Sequence, residues 1–316
     1  MNFIDFCNYV KENILNYMPS EYKNADVLLD TTTKNNSVIR YGISIFTGQN
    51  NMVPKVYLES FYEQYNQGKN IQDIMQDLSK EYVRNIVPES SFIAENVYDF
   101  SKIKNLITTK IVNAKQNKLF VKSRPHKKID DLVCFYQISI NNFLDGRITI
   151  PISNELLKHW EISNEELHKL AVENTEKMYP SELKDITQTL FGQPKNYLDD
   201  PKSYLNEPML VLTNKENIGG SSILANNNIL EKVSKVVNDD YYILPSSIHE
   251  LLIIPKNMSK EMNLTEQSLG VMVRDVNVSQ VDTEEQLSDH AYSYCKDTKE
   301  LSTCKNSRLK EREMER

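Results

Sequence analysis

The sequence predicts an α+β fold: two or three antiparallel-sheet units covered by amphipathic helices, with a disordered polar C-terminal tail. Three observations carry that prediction. Strand-like alternation is plain in Val38-Ile39-Arg40-Tyr41-Gly-Ile43-Ser-Ile45, and helical spacing in Ile71, Ile74, Met75, Leu78, Tyr82 and Ile86. Turn chemistry at Lys34-Asn35-Asn36, Gly219-Gly220 and Asp239-Asp240 separates the blocks, which group by type as antiparallel α+β architectures do.

The first element is a helix with Phe3, Phe6, Cys7, Val10, Ile14 and Tyr17 on one stripe, stopped by Pro19. Strands at Val27–Thr33, Val38–Ile45 and Lys55–Leu58 follow, then helices at Phe61–Tyr65 and Ile71–Ile86, giving an α-β-β-β-α-α unit over 1–95. A middle unit, 96–192, opens with a helix near Asp99–Asn113 that carries Ile103, Leu106, Ile107 and Ile111. It continues with a strand pair, Val133–Ile138 and Ile148–Ile152, joined around Asp145-Gly146. Ser163-Asn-Glu-Glu166 matches a capping box, in which Ser and Glu side chains reciprocally satisfy orphan N–H groups, and it opens a helix ending at Pro180.

Residues 193–208 hold a tandem heptad, Pro194-Lys-Asn-Tyr-Leu-Asp-Asp200 then Pro201-Lys-Ser-Tyr-Leu-Asn-Glu207. Recurrent Pro with acidic pairs reads as an exposed irregular loop. A bivalent Tyr-Leu docking motif is the functional reading, and a replicated insertion tolerated on a surface loop is the plainer one. The C-terminal unit, 209–294, has strands at Met209–Leu212 and Ser222–Ala225 around a Gly219-Gly220 hairpin turn. A helix capped by Asn227 or Asn228 follows, then strands at Tyr241–Leu244 and His249–Ile254, and a helix at Thr265–Val276 ahead of Val278–Val281. From Cys295 to Arg316 almost nothing is apolar, which predicts a solvated, disordered tail.

Composition narrows the function classes. A 40% hydrophobic content in 316 residues suffices for a real core. The net charge of −7 repels phosphate backbones unless basic residues gather on one face, so nucleic acid is a disfavoured partner. No run approaches the ~18–20 apolar residues of a membrane span. The N-terminal Met1-Asn-Phe-Ile-Asp-Phe-Cys7 lacks a secretory pattern, and the cysteines at 7, 134, 295 and 304 have no CxxC spacing. Cys7 and Cys134 sit among apolar neighbours as small buried hydrophobes, and a cytoplasmic location is expected.

No GxGxxG, Walker, GxSxG or HExxH pattern is present, so no cofactor is expected. The chemistry-bearing stretch is Leu244-Pro-Ser-Ser-Ile-His-Glu250. Ser247 and His249 are a chemically suitable nucleophile and base. Read as a strand, the segment sends His249 and Glu250 to opposite faces and leaves Ser247 and His249 as the local pair. The alternative is a Ser-rich turn whose hydroxyls satisfy backbone groups. His249, Asp289 and His290 could supply metal ligands, although nothing in their spacing gathers them. His159 and His168, around Trp160, read as helix-surface or partly packed. Gly219-Gly-Ser-Ser222 could offer N–H groups to an anion, but it does not lead into a helix pattern. Lys122, Arg124, Lys127 and Lys128 form the densest basic cluster and the weak candidate for phosphate contact.

Several stretches carry a resemblance: Val56–Tyr65, Leu167–Thr175, Met209–Asn214, Tyr242–Glu250, Val276-Asn277 and Leu287–Asp289. Over residues 1 to 294 the chain resembles a domain-of-unknown-function family of gut-associated anaerobic Gram-positive bacteria, often carried on mobile elements. It is also distantly similar to a second bacterial family in which a Pro-Ser turn follows a helix and an acidic turn. Neither resemblance implies an activity or transfers a catalytic residue, and the tandem heptad looks particular to this chain. The expectation is a non-catalytic cytoplasmic bacterial accessory or protein-interaction protein, mobile-element associated, with a protein partner and no membrane. A hydrolase centred on Ser247 and His249 is the alternative, and weak nucleic-acid binding through Lys122–Lys128 a third.

Overall fold

A computed structural model describes residues 1–48, 53–86, 95–142, 146–186 and 195–304. Among these residues the fold is α+β with three antiparallel sheets. The chain divides into two compact units, residues 1–103 with 139–149, and residues 104–138 with 150–316.

In the first unit, helix α1 (Phe3–Asn13) is capped by the Asn2 side chain, which accepts from the Asp5 N–H. It buries Phe6, Cys7 and Val10. Strands β1 (Asp26–Thr33) and β2 (Ile39–Phe46) pair in register from Asp26↔Phe46 to Thr33↔Ile39, and β3 (Val56–Tyr57) adds a short third strand. The hairpin turns through Asn36 and Ser37, both left-handed. Helices α2 (Glu59–Asn66) and α3 (Ile71–Arg84) complete the core with Phe61, Ile74, Met75, Leu78 and Tyr82. Burying each large apolar side chain contributes roughly 1.5–3 kcal/mol. The Tyr82 hydroxyl accepts from Ile45 N–H at 2.7 Å and donates to Ile45 C=O at 3.0 Å, so this buried polar group is fully satisfied. Burial raises the Cys7 thiol to about 11.

The largest correction to the sequence reading falls at residues 99–113. The helix expected over Asp99–Asn113 is a single turn, α4 (Phe100–Ile103), a 3-10 turn at Lys104–Leu106, and strand β4 (Ile107–Asn113). The β-branched run Ile107-Thr-Thr-Lys-Ile-Val112 favours strand. β4 is buried on both faces, which erases the alternation that would have signalled it. Helix α5 (Lys118–Lys122) leads to β5 (His126–Ile129), which pairs with β6 (Leu132–Asn142). β6 lies between β4 and β5 and also pairs with β7 (Gly146–Pro151). Asp145 of the expected turn lies outside the described residues. Helix α6 (Asn154–His159) precedes α7 (Asn164–Met178), whose N-terminus carries the predicted capping box, Ser163 with Glu166. α7 packs on this sheet, and Thr175 Oγ1 accepts from Thr109 N–H at 2.8 Å.

A six-stranded sheet fills the rest, in the order β13-β12-β10-β11-β9-β8. Its strands are β8 (Ser181–Asp185), β9 (Leu210–Asn214), β10 (Tyr241–Pro245), β11 (Leu251–Pro255), β12 (Tyr292–Cys295) and β13 (Glu300–Thr303). Helix α8 (Asn227–Val237) accepts the Tyr241 hydroxyl at Leu230 C=O. After a short α9 (Lys256–Glu261), α10 (Glu266–Gln280) packs Leu269 and Val273 against Leu244 and Ile254. α10 runs on through Val278–Gln280 of the separate Val278–Val281 segment that the sequence suggested, and Val281 is its extended C-cap. The chain expected to be disordered from 295 forms the β12–β13 hairpin through Thr303, with alternation too short to read from sequence. Residues 305–316 lie outside the described residues.

The tandem heptad is not simply an exposed loop. Tyr197 is 1% exposed, and Tyr204 packs against it with ring centroids 5.7 Å apart. Among the described residues no helix is long and apolar enough to cross a membrane.

Candidate functional site

Pro245 closes β10, and residues 246–250, between β10 and β11, are a loop and not the start of a strand. The expected strand from His249 begins at Leu251 because the backbone of 246–250 is occupied elsewhere. Ser222–Ala225 is likewise no strand. It belongs to a 3-10 turn, Gly220–Ala225, buried from Gly220 through Leu224. Gly219-Gly220 is therefore not a hairpin turn.

The reason is one hydrogen-bonded knot. β9 ends at Asn214, whose Oδ1 accepts from Glu216 N–H (3.0 Å) and whose Nδ2 donates to Ile218 C=O (2.9 Å). The chain then passes through Asn217 and Gly219, both left-handed, with Gly219 at φ +67. Gly219 N–H donates to His249 Nδ1 (3.1 Å), Gly220 N–H to His249 C=O (3.0 Å) and Ser221 N–H to Ile248 C=O (3.2 Å). The Thr213 hydroxyl also donates to His249 C=O, at 2.9 Å. These bonds consume the N–H groups that an anion-binding reading of 219–222 would need, since Ser222 N–H donates back to Gly219 C=O.

The side chains of the segment are engaged in the same way. Ser247 Oγ accepts from His249 N–H at 2.9 Å, and Ser246 Oγ donates to Glu250 Oε1 at 3.1 Å. A third segment closes the knot. Ile248 N–H donates to Glu285 C=O (2.8 Å), and His249 Nε2 lies 3.4 Å from Glu285 Oε1. An Nδ1 that accepts a hydrogen bond places the neutral ring's proton on Nε2, facing Glu285. A Ser–His dyad needs one ring nitrogen free to take the hydroxyl proton. Here both ring nitrogens have other partners, and the Ser247 hydroxyl faces a backbone N–H.

The remaining candidates are dispersed. Asp289 is exposed and its carbonyl accepts from Arg274, while His290 N–H donates to Ser288 Oγ. Among the described residues no three His, Cys, Asp or Glu side chains are grouped to hold a metal ion. Arg124 lies over the Phe120 ring at 3.7 Å and donates to Phe120 C=O at 2.6 Å. Lys122, Lys127 and Lys128 are exposed, the last two on edge strand β5, where lysines commonly block edge-to-edge pairing. His168 is half-buried, its ring edge-on to Tyr136 at 6.0 Å. A small cleft of about 10 Å³ lies among Thr109, Thr175, Glu176, Ser181, Ser222 and Asn226, room for about one water.

Sequence reasoning singled out 244–250 but missed its partners Thr213, Gly219, Gly220 and Glu285. The Gly-Gly pair was the visible signal of a special backbone. Its meeting with His249, 30 residues on, has no local signature.

A family model described as a family of unknown function (DUF5688) matches residues 3–296. No curated protein and no solved structure matches the chain.

Proposed function

We propose that this chain, which belongs to the DUF5688 family, acts by binding and not by catalysis, as a cytoplasmic bacterial accessory protein with a protein partner. One observation carries this reading: the hydroxyls, imidazole and carboxylate of residues 246–250 are spent inside the knot, on backbone N–H groups and on neighbouring side chains. Free, buried thiols at Cys7 and Cys134 fit a reducing compartment.

A second reading draws on the half-exposed His249–Glu285 pair, an imidazole beside a carboxylate. To work as a hydrolase it needs Ser247 to leave the His249 N–H and turn to a ring nitrogen freed from its present partner.

A serine-reactive fluorophosphonate separates the two. Ser247 is expected to stay unlabelled, and Ser247→Ala to cost about 1 kcal/mol of stability, the net worth of one hydrogen bond. Labelling of Ser247 would overturn the binding reading. So would ester or amide turnover that Ser247→Ala abolishes while the unfolding transition stays in place.

A further inference from the structure

The edge of the six-stranded sheet at β8 is a filled slot. Four backbone groups on its open side each have a partner. Ser181 N–H donates to Glu176 Oε1 (3.1 Å), and Ser181 C=O accepts from Asn196 Nδ2 (3.2 Å). Leu183 N–H donates to Asn196 Oδ1 (2.9 Å), and Leu183 C=O accepts from Tyr197 N–H (2.8 Å). The first heptad therefore plugs the edge as a short strand mimic, with Tyr197 buried beneath it. An uncovered edge strand would offer these groups to another chain.

The second heptad repeats the same side chains at the same spacing: Pro-Lys-x-Tyr-Leu recurs seven residues later, with Ser203 in place of Asn196. Where it stands it is held by local contacts: Tyr204 packs on Tyr197, and Ser203 Oγ donates to Asp200 C=O. Leu205 is 78% exposed, and the Tyr204 hydroxyl donates only locally, to Glu207 C=O. One slot and two matching plugs lie on a single chain.

We propose that the two heptads are alternate occupants of the β8 slot, exchanged by a seven-residue slip of the connection between β8 and β9. The span permits it. Tyr197 lies opposite Leu183, and Leu210 opposite Asp185 on the far side of β8. Two strand spacings across and two residues along come to about 12 Å. With Tyr204 in the slot, the five residues 205–209 bridge about 20 Å when extended. The first register is favoured because a Ser hydroxyl cannot reach both Leu183 N–H and Ser181 C=O as the Asn amide does.

The test is amide hydrogen exchange at Leu183 in the full chain, on three deletions: residues 194–200, residues 201–207, and both. Either single deletion is expected to leave the Leu183 amide protected, and the double deletion to lose protection by about 10-fold or more. Asn196→Ala with Tyr197→Ala is expected to keep protection until Tyr204→Ala is added, which distinguishes takeover from a folding failure. The proposal is overturned if deleting 194–200 alone exposes Leu183, if Tyr204→Ala makes no difference in the Asn196/Tyr197 background, or if protection depends on protein concentration, which would assign the plug to a second copy.

Discussion

Gly220→Ala is expected to destabilise the second unit by about 3 kcal/mol, the upper end for forcing a methyl into a closed site. A Cβ at this position would lie 2.3 Å from the His249 carbonyl oxygen and 2.7 Å from Thr213 Oγ1. The first of these is backbone, so no flexible side-chain tip can yield. Moving it breaks the bonds from Gly220 N–H and the Thr213 hydroxyl together. For a unit of about 200 residues, the melting temperature should fall by about 6–12 °C. Gly270→Ala is the control. Its added Cβ meets only Arg274 Nη1, at 3.5 Å, inside a helix, so no comparable loss is expected. Equal melting of the two variants would show that the 219–222 and 246–250 segments are not held as described.

The second large effect is expected at Asp131. The β5–β6 turn passes through Asp130, which is left-handed at φ +54, and it ties this sheet to the six-stranded one. Asp131 Oδ1 accepts from the Tyr292 hydroxyl at 2.6 Å, and Oδ2 from Ser288 Oγ at 3.4 Å. Asp130 accepts from Thr303 N–H at 2.6 Å and from its hydroxyl. Tyr292 is 0% exposed, and burial first, with Asp131 second, pushes its hydroxyl far above the ordinary tyrosine range. Asp131→Ala leaves that hydroxyl buried without its acceptor, at a cost of about 2–3 kcal/mol. Adding Tyr292→Phe removes the orphan and should restore part of the loss. Chemical denaturation of the two single variants and the double reads this directly. A double variant as unstable as the sum of the singles would contradict the pairing.

The parts of the fold legible in the sequence are those whose periodicity is local. Helices α1, α3 and α7 each bury one stripe, and Ser163 with Glu166 marks a helix start within four residues. β2 was legible because its large apolar residues alternate with small or polar ones: Ile43 and Ile45 enter the core, and Gly42 and Ser44, buried on the other side, carry no apolar signal. β4 defeated the same reasoning because both of its faces are covered, so Ile107, Ile111 and Val112 mimic a helical stripe. β8, β5 and the β12–β13 hairpin are short and polar, and they are strands because of what they pair with. The site shows the same division. Ser247, His249 and Glu250 stood out by residue type. Their orientation was misread because strand alternation was applied to a loop that is shaped by Gly219, Gly220 and Glu285. Asn196 and Tyr197 looked like loop residues for a related reason. Their partner, β8, precedes them with no apolar signal of its own.

His249 is a structural imidazole whose two nitrogens are already engaged, by Gly219 N–H and by Glu285. Nitrogen-resolved NMR of the His249 side chain, recorded where the ring is neutral, tests it most directly. The structure predicts the Nε2–H tautomer, with a coupling through the hydrogen bond from Gly219 N–H to Nδ1. An Nδ1–H tautomer with Nε2 free to accept a proton, and no coupling to Gly219, would contradict it and return Ser247 and His249 to consideration as a catalytic pair.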